Sequence, residues 1–249
     1  MKTFSICMQC QVETGVPKLS SYTMVQIPDD GVIEVACNRE HRTCIIIQQE
    51  KFEILSDMAI KAIVDGYYRD AVSSFAGSLE RLYEFFVRAT CRKHGIDALT
   101  FAPAWKEMSN QSERQLGAFI GVHLMETGQP PKLLPQKQTS FRNAVIHKGK
   151  FPERDDALRF GQAVLECALP ILRLLKSEPY SSTVQTLVME SIRDRSMSAR
   201  KEGMRTSTQC ISTFLSLATA EEQTDVRTAV TNYAAWPNFE EILKTSATS

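Results

Sequence analysis

Residues 67–95, "YYRDAVSSFAGSLERLYEFFVRATCRKHG", restrict the possible folds more than any other stretch of the 249-residue chain. Ala71, Val72, Phe75, Leu79, Leu82, Tyr83, Phe86 and Val87 recur at three- and four-residue steps, the period of one helical face. A helix of this length with a continuous apolar stripe draws most of its stability from what covers that stripe. Its neighbours must therefore be helices long enough to bury it. His94-Gly95 supplies the stop signal.

The neighbours are legible in part. "QEKFEILSDMAIKAIVDG" aligns Phe52, Leu55, Ala59, Ile60 and Ile63 on one face and ends near Gly66. Two shorter helices are expected over 103–113 and 115–126, then a loop at "GQPPKLLP", then a helix entered after Pro135. "ERDDALRFGQAVLECALPILRLLK" reads as a long apolar-faced helix, with Asp155 and Asp156 at its positive end and a kink expected at Pro170. Beyond "SEPYSS", the stretches "STVQTLVMESIRDRSMSARKEG" and "TSTQCISTFLSLATAEEQ" read as helices, and the chain from "AAWPNF" onward as a fraying end.

Residues 1–48 differ in kind. Short β-prone pieces, "YTMVQI", "GVIEVA" and "CIIIQQ", alternate with turn signals, and a hairpin is expected around Pro28-Asp29-Asp30-Gly31. The expected fold is thus mainly α, with a small β segment ahead of the helices. Its domains would be 1–48, a helical domain at 49–180 and a helical extension at 181–249.

Lys+Arg and Asp+Glu both total 29, so any contact with a polyanion must come from a local patch. No signal-like segment or membrane-length apolar run is apparent, and a reducing, cytoplasmic setting is expected. The seven Cys then read as metal ligands or buried thiols. P-loop, dinucleotide-binding, metalloprotease and nucleophile-elbow patterns are all absent.

Cys7-x2-Cys10 is followed, after 26 intervening residues, by Cys37-x3-His41. Two ligand pairs next to turns suit tetrahedral zinc, and a few short strands bury too little apolar surface to persist without such a staple. Cys44 competes with His41 for the fourth position. His41 is favoured because "CIII" opens a strand whose Cys is expected to be buried. A four-ligand site leaves no position for water, so the zinc is expected to be structural and no catalytic metal is expected.

A second constellation lies in "FRNAVIHKG", residues 141–149. Asn143 and His147 are four apart and share a helix face, while Arg142 lies roughly 140° from His147 and must curl round to join them. A proton-transfer imidazole, a permanently charged guanidinium and an orienting amide are what RNA phosphodiester cleavage without a catalytic metal needs. Lys137, Lys148 and Lys150 flank them as RNA-contact candidates. In the bland alternative, His147 and Lys148 merely complement a helix C-terminus and Arg142 pairs with a carboxylate.

This signature, Arg followed by a polar residue and then His after four to six residues, resembles that of the HEPN superfamily. The upstream "VDGYYRDAVSSFAGSLERLYEFF" resembles the helical hairpin of the same family, and the likeness spans roughly residues 50–176. The resemblance implies an antiparallel helical bundle, preceded here by the small β zinc ribbon, that dimerises so that facing Arg142, Asn143 and His147 form one composite cleft. The activity implied is an endoribonuclease that leaves 2′,3′-cyclic phosphate, in a toxin or anti-phage role. RNA, a second copy and possible antitoxin or defence proteins are the partners implied, and a membrane is not. It further implies that Glu80 fixes the Arg142 guanidinium; otherwise Glu80 is a solvated carboxylate in a set with Glu84 and Arg88. The alternative is a non-catalytic HEPN-like module that binds nucleotide or RNA, or only dimerises and recruits a partner. In a third reading the zinc ribbon is the main nucleic-acid reader.

Overall fold

The computed structural model describes residues 1–16, 21–201, 203–219 and 223–235. The expected fraying end from Trp236 lies outside them. In chain order the elements are β1 (Lys2–Ile6), α1 (Met8–Thr14), β2 (Tyr22–Gln26), β3 (Val32–Ala36), β4 (Arg42–Ile47), α2 (Lys51–Val64), α3 (Tyr68–Lys93), α4 (Ala98–Ser109), α5 (Ser112–Thr127), α6 (Gln136–His147), α7 (Arg154–Lys176), α8 (Glu178–Lys201), β5 (Arg205–Gln209) and α9 (Val226–Ala234). The protein is mainly helical, with small β-sheets near its N-terminus. No helix among the described residues is long and apolar enough to cross a membrane.

Two compact units emerge. The first holds residues 1–49 and 188–211, the second residues 50–187 and 212–234. In the first unit β1 pairs antiparallel with β2, while β4 is central in a second sheet, antiparallel to β3 and parallel to β5. Thr43 to Ile47 are all buried, as expected for a central strand covered on both faces. Cys44 and Ile46 pack with Ala199 of α8, and Val32, Ile192 and Met204 close the cluster.

The expected hairpin at 28–31 is corrected. Gly31 N does donate to Pro28 O at 3.0 Å, but the strands on either side belong to different sheets. The hairpin instead turns at Cys37–His41, where Cys37 N donates to His41 O at 3.2 Å and Glu40 takes φ 63°. "PDDG" encodes a reversal; which strand it faces afterwards depends on pairing outside the turn.

In the second unit α2 and α3 form a helical hairpin about Gly66, tied by Ser78 Oγ donating to Phe52 O at 2.6 Å. α3 is the central helix, contacting α2, α5, α6 and α7. Phe52, Phe75, Phe86, Phe119 and Phe160 fill the core. α7 crosses α3 closely because Gly161 leaves room for Phe75; a Cβ there would stand 2.5 Å from the Phe75 ring.

Two helix expectations change. α4 starts five residues before 103, since Asp97 caps it by accepting from Thr100 N at 2.8 Å. Asp97, not Pro103, is the start signal. α7 runs as one helix through Pro170, which lies on its exposed side. The stretch 206–223 is not helical where described: it supplies most of β5 and then a loop. That loop is pinned to α2, with Leu215 N donating to Ser56 Oγ at 2.9 Å and Leu217 N to Glu53 Oε1 at 2.8 Å. Its Ser and Thr side chains hydrogen-bond nearby backbone and so compete with helix formation. Thr213 Oγ1, for example, donates to Leu215 O at 2.9 Å.

Candidate functional site

In the first unit Cys7 caps α1 and its Sγ accepts from Cys10 N at 3.5 Å. The C-x2-C pair is therefore seated on the first turn of a short helix. Cys37 and His41 come from the turn between β3 and β4, and Arg39 N points at Cys37 Sγ from 3.4 Å. The separations are 3.8 Å for Cys10 Sγ to Cys37 Sγ, 3.4 Å for Cys10 Sγ to His41 Nδ1 and 3.8 Å for Cys7 Sγ to His41 Nδ1. All four donor atoms lie within 4.8 Å of one another.

A zinc tetrahedron built with the usual bond lengths has S···S edges of ~3.8 Å and S···N edges of ~3.6 Å. The residues therefore fit a metal ion such as zinc, held by Cys7, Cys10, Cys37 and His41. Burial, with the Cys7 and Cys37 thiols alongside, pushes the Cys10 thiol up to about 11. Cys37 is pulled below the ordinary thiol value: burial opposes this, but the Arg39 and His41 backbone N–H groups outweigh it. A divalent cation is the natural charge balance for such crowded sulfurs. Cys44 belongs to the apolar cluster of the sheet and not to this group.

Sequence reasoning missed Glu13. It lies on the ligand-bearing helix, one turn beyond Cys10, and its Oε1 stands 3.5 Å from His41 Nε2. Gln9 and Arg39 hold the carboxylate at 2.9 Å each, so it faces the ring nitrogen on the side where outer-sphere carboxylates stand at metal-binding histidines. A carboxylate one turn after a ligand was the available signal.

In the second unit α6 carries "FRNAVIH". Buried Val145 and Phe141, whose ring lies 5.9 Å from that of Phe160, anchor the helix and turn Arg142 toward α3. There Arg142 Nη2 pairs with Glu80, and Nη1 donates to Asn143 Oδ1 at 3.1 Å. The guanidinium is thus held from two sides and about one-quarter exposed, at 23 %. Glu84 pairs with Arg81 and Arg88 with Glu50, so neither shares Glu80. His147 is the last helical residue and is exposed. Lys148 N and Lys150 N both donate to Ala144 O, at 3.2 and 3.0 Å, around Gly149 with φ 70°. Asn143 spends its carbonyl on Arg142, and no hydrogen bond joins it to His147.

The charge around the α6–α7 junction is uneven. Asp155 pairs with Arg227 at 3.0 Å, Asp156 pairs with Arg159 at 2.5 Å, and Glu153 with Asp156 closes a capping box. Lys137, Lys148 and Arg154 are exposed and take no ion pair among the described residues, while Lys150 Nζ lies 5.0 Å over the Phe141 ring. Asp155 and Asp156 are thus paired with cations and Glu153 is engaged in the cap, whereas Lys137, Lys148 and Arg154 have no carboxylate partner among the described residues.

A second polar node has no sequence signature. Lys93, His94 and Tyr180 all converge on the Glu126 carboxylate, and Tyr180 Oη also meets Thr90 Oγ1 at 3.0 Å. It ties the ends of α3 and α5 to the start of α8. Burial opposes ionisation of Glu126, but these three donors hold it at about 2. His123, by contrast, is a packing residue against Phe86 and Phe119. Tyr67, just before α3, is 64 % exposed.

No family model matches the chain, and neither a curated protein nor a solved structure is significantly similar to it. Fold and site together define a mainly helical protein with an N-terminal Cys3His cluster able to bind a metal such as zinc.

Proposed function

We propose that the helical unit is an endoribonuclease of the HEPN type, working without a catalytic metal across a homodimeric cleft in a toxin or anti-phage role. The observation that supports this best is the arrangement at the end of α6. Arg142 is oriented by Glu80 and Asn143, His147 is presented to solvent one turn further on, and Lys137, Lys148 and Lys150 have no carboxylate partner among the described residues. In the reaction His147 of one copy takes the proton of the ribose 2′-OH, whose oxygen attacks phosphorus. Arg142 stabilises the phosphorane charge, and the 5′-oxygen leaves with a proton from His147 of the second copy. The products are a 2′,3′-cyclic phosphate and a 5′-OH. Zinc at Cys7, Cys10, Cys37 and His41 takes no part in these steps and holds the first unit together.

A second reading rests on the same ion pair. Glu80 and Asn143 already satisfy much of the guanidinium, as befits a binding or dimerisation module that has no reaction to perform. The deciding experiment incubates purified wild type and His147→Ala with cellular RNA in EDTA and maps the fragment ends, with circular dichroism recorded in parallel to verify folding. Cleavage with cyclic-phosphate ends by wild type alone supports the nuclease. RNA binding with no cleavage by folded wild type supports the module.

A further inference from the structure

Phe151 is 86 % exposed in the short connection between α6 and α7. Single exposed apolar side chains are ordinary, but this one has a specific setting. Its loop is tied down on both sides: Lys150 N donates to Ala144 O at 3.0 Å, and Pro152 is buried. Glu153 then opens α7 through its capping box. The ring is therefore presented on a backbone whose ordering cost is met before anything binds.

Cations flank it, and of the carboxylates nearby Asp155 and Asp156 are ion-paired while Glu153 is engaged in the cap of α7. Lys148, Lys150 and Arg154 lie within three residues of Phe151, while Asp155 and Asp156 are engaged by Arg227 and Arg159. The like charges around the ring disfavour a direct contact between two Phe151 side chains, while a cleft between two copies that is lined by such cations suits a polyanion lying between them. A polyanion that also carries flat aromatic faces satisfies both features at once. Tyr67 is the contrasting case: it is also exposed, but Asp65 and Asp70 are close in the chain.

We infer that Phe151 is a stacking platform for an unpaired base of single-stranded RNA, with Lys148, Lys150 and Arg154 receiving the adjoining phosphates. This rests on the RNA reading proposed above and narrows it. A base inside a duplex offers no free face, so the platform selects single strands, and it favours no particular base because every base has a π-face.

The test uses the full-length protein and a fluorescein-labelled single-stranded 12-nucleotide RNA, with a duplex of the same length as the control. A second single strand carrying 2-aminopurine reports stacking directly. Phe151→Ala is expected to weaken single-strand binding about tenfold, to abolish 2-aminopurine quenching and to leave duplex binding and the salt dependence unchanged. Phe151→Trp should restore the quenching. Lys148→Ala should instead reduce the salt slope by roughly 0.7. Tight RNA binding by wild type that is indifferent to Phe151→Ala overturns the platform and leaves the RNA reading standing. A dimer-to-monomer change in Phe151→Ala by analytical ultracentrifugation overturns it in favour of a protein contact. No RNA binding by wild type at all removes the functional reading itself, and the platform with it.

Discussion

In the N-terminal unit Cys7, Cys10, Cys37 and His41 bring four donors within 4.8 Å from a single chain. In the helical unit Arg142, Asn143 and Glu80 form a closed polar set, with one imidazole alone at the helix end. The first cluster is complete within one chain, its four donors spaced to hold a metal ion such as zinc. The second is locally satisfied, and its proposed chemistry needs a second proton-transfer group that one copy does not supply. Self-contained sites declare their ligand through geometry; shared sites declare it only through what they leave uncompensated.

The sharpest way to break this contrast is to remove one thiolate. Cys10→Ser is expected to lose stoichiometric zinc, which at structural sites is worth on the order of 10 kcal/mol. Amide exchange should then show β3 and β4 unprotected while α3 and α7 keep their protection. Loss of protection in both units would mean that the metal site is not a local staple. For the second cluster, His147→Ala should lower RNA cleavage by roughly 10²–10⁴-fold, the usual worth of a general acid–base group, with an unchanged melting curve. Full activity in that variant, prepared free of host nuclease, would end the catalytic reading.

Smaller effects test the scaffold of the helical unit. Glu126→Ala strips the common partner of Lys93, His94 and Tyr180 and should cost about 2–4 kcal/mol in urea unfolding. Because Glu126 is held at about 2, below its ordinary 4.5, its stabilisation is full above the unfolded value and is lost as pH falls toward 2. That acid-side slope should vanish in Glu126→Gln. Asp57 on α2 acts with the opposite sign, since burial raises it to about 7, with Lys61 opposing. The folded state binds its proton more tightly than the unfolded state, so stability declines as pH rises from about 4 to 7. Asp57→Asn should flatten that decline and stabilise the helical unit by roughly 1–2 kcal/mol at pH 8. Unchanged melting across that range would show that the carboxyl is hydrated.

Legibility followed the range of the interactions. The apolar stripe of α3, the cap of α7 at 153–156 and the Cys-x2-Cys pair are written in adjacent turns of the chain, and periodicity or spacing exposes them. The position of Cys44 was only half legible: "CIII" announces a buried strand, but the cluster with Ala199 excludes that thiol from the ligand group. Glu13 left a faint trace in its spacing from Cys10. The Glu126 node left none, because its partners Lys93, His94 and Tyr180 lie more than thirty residues away.

The sequence by itself determined the helical character, the metal-ligand pairs and the Arg-Asn…His grouping, since each is set by side-chain identity over a few turns. Only the tertiary structure decided that residues 205–209 become a strand parallel to β4. It also decided that the turn at Pro28 joins two sheets and that Asp155, near His147, is taken by Arg227. In each case the deciding partner lies outside the local segment, and a residue's local preference carries no information about which distant group will satisfy it.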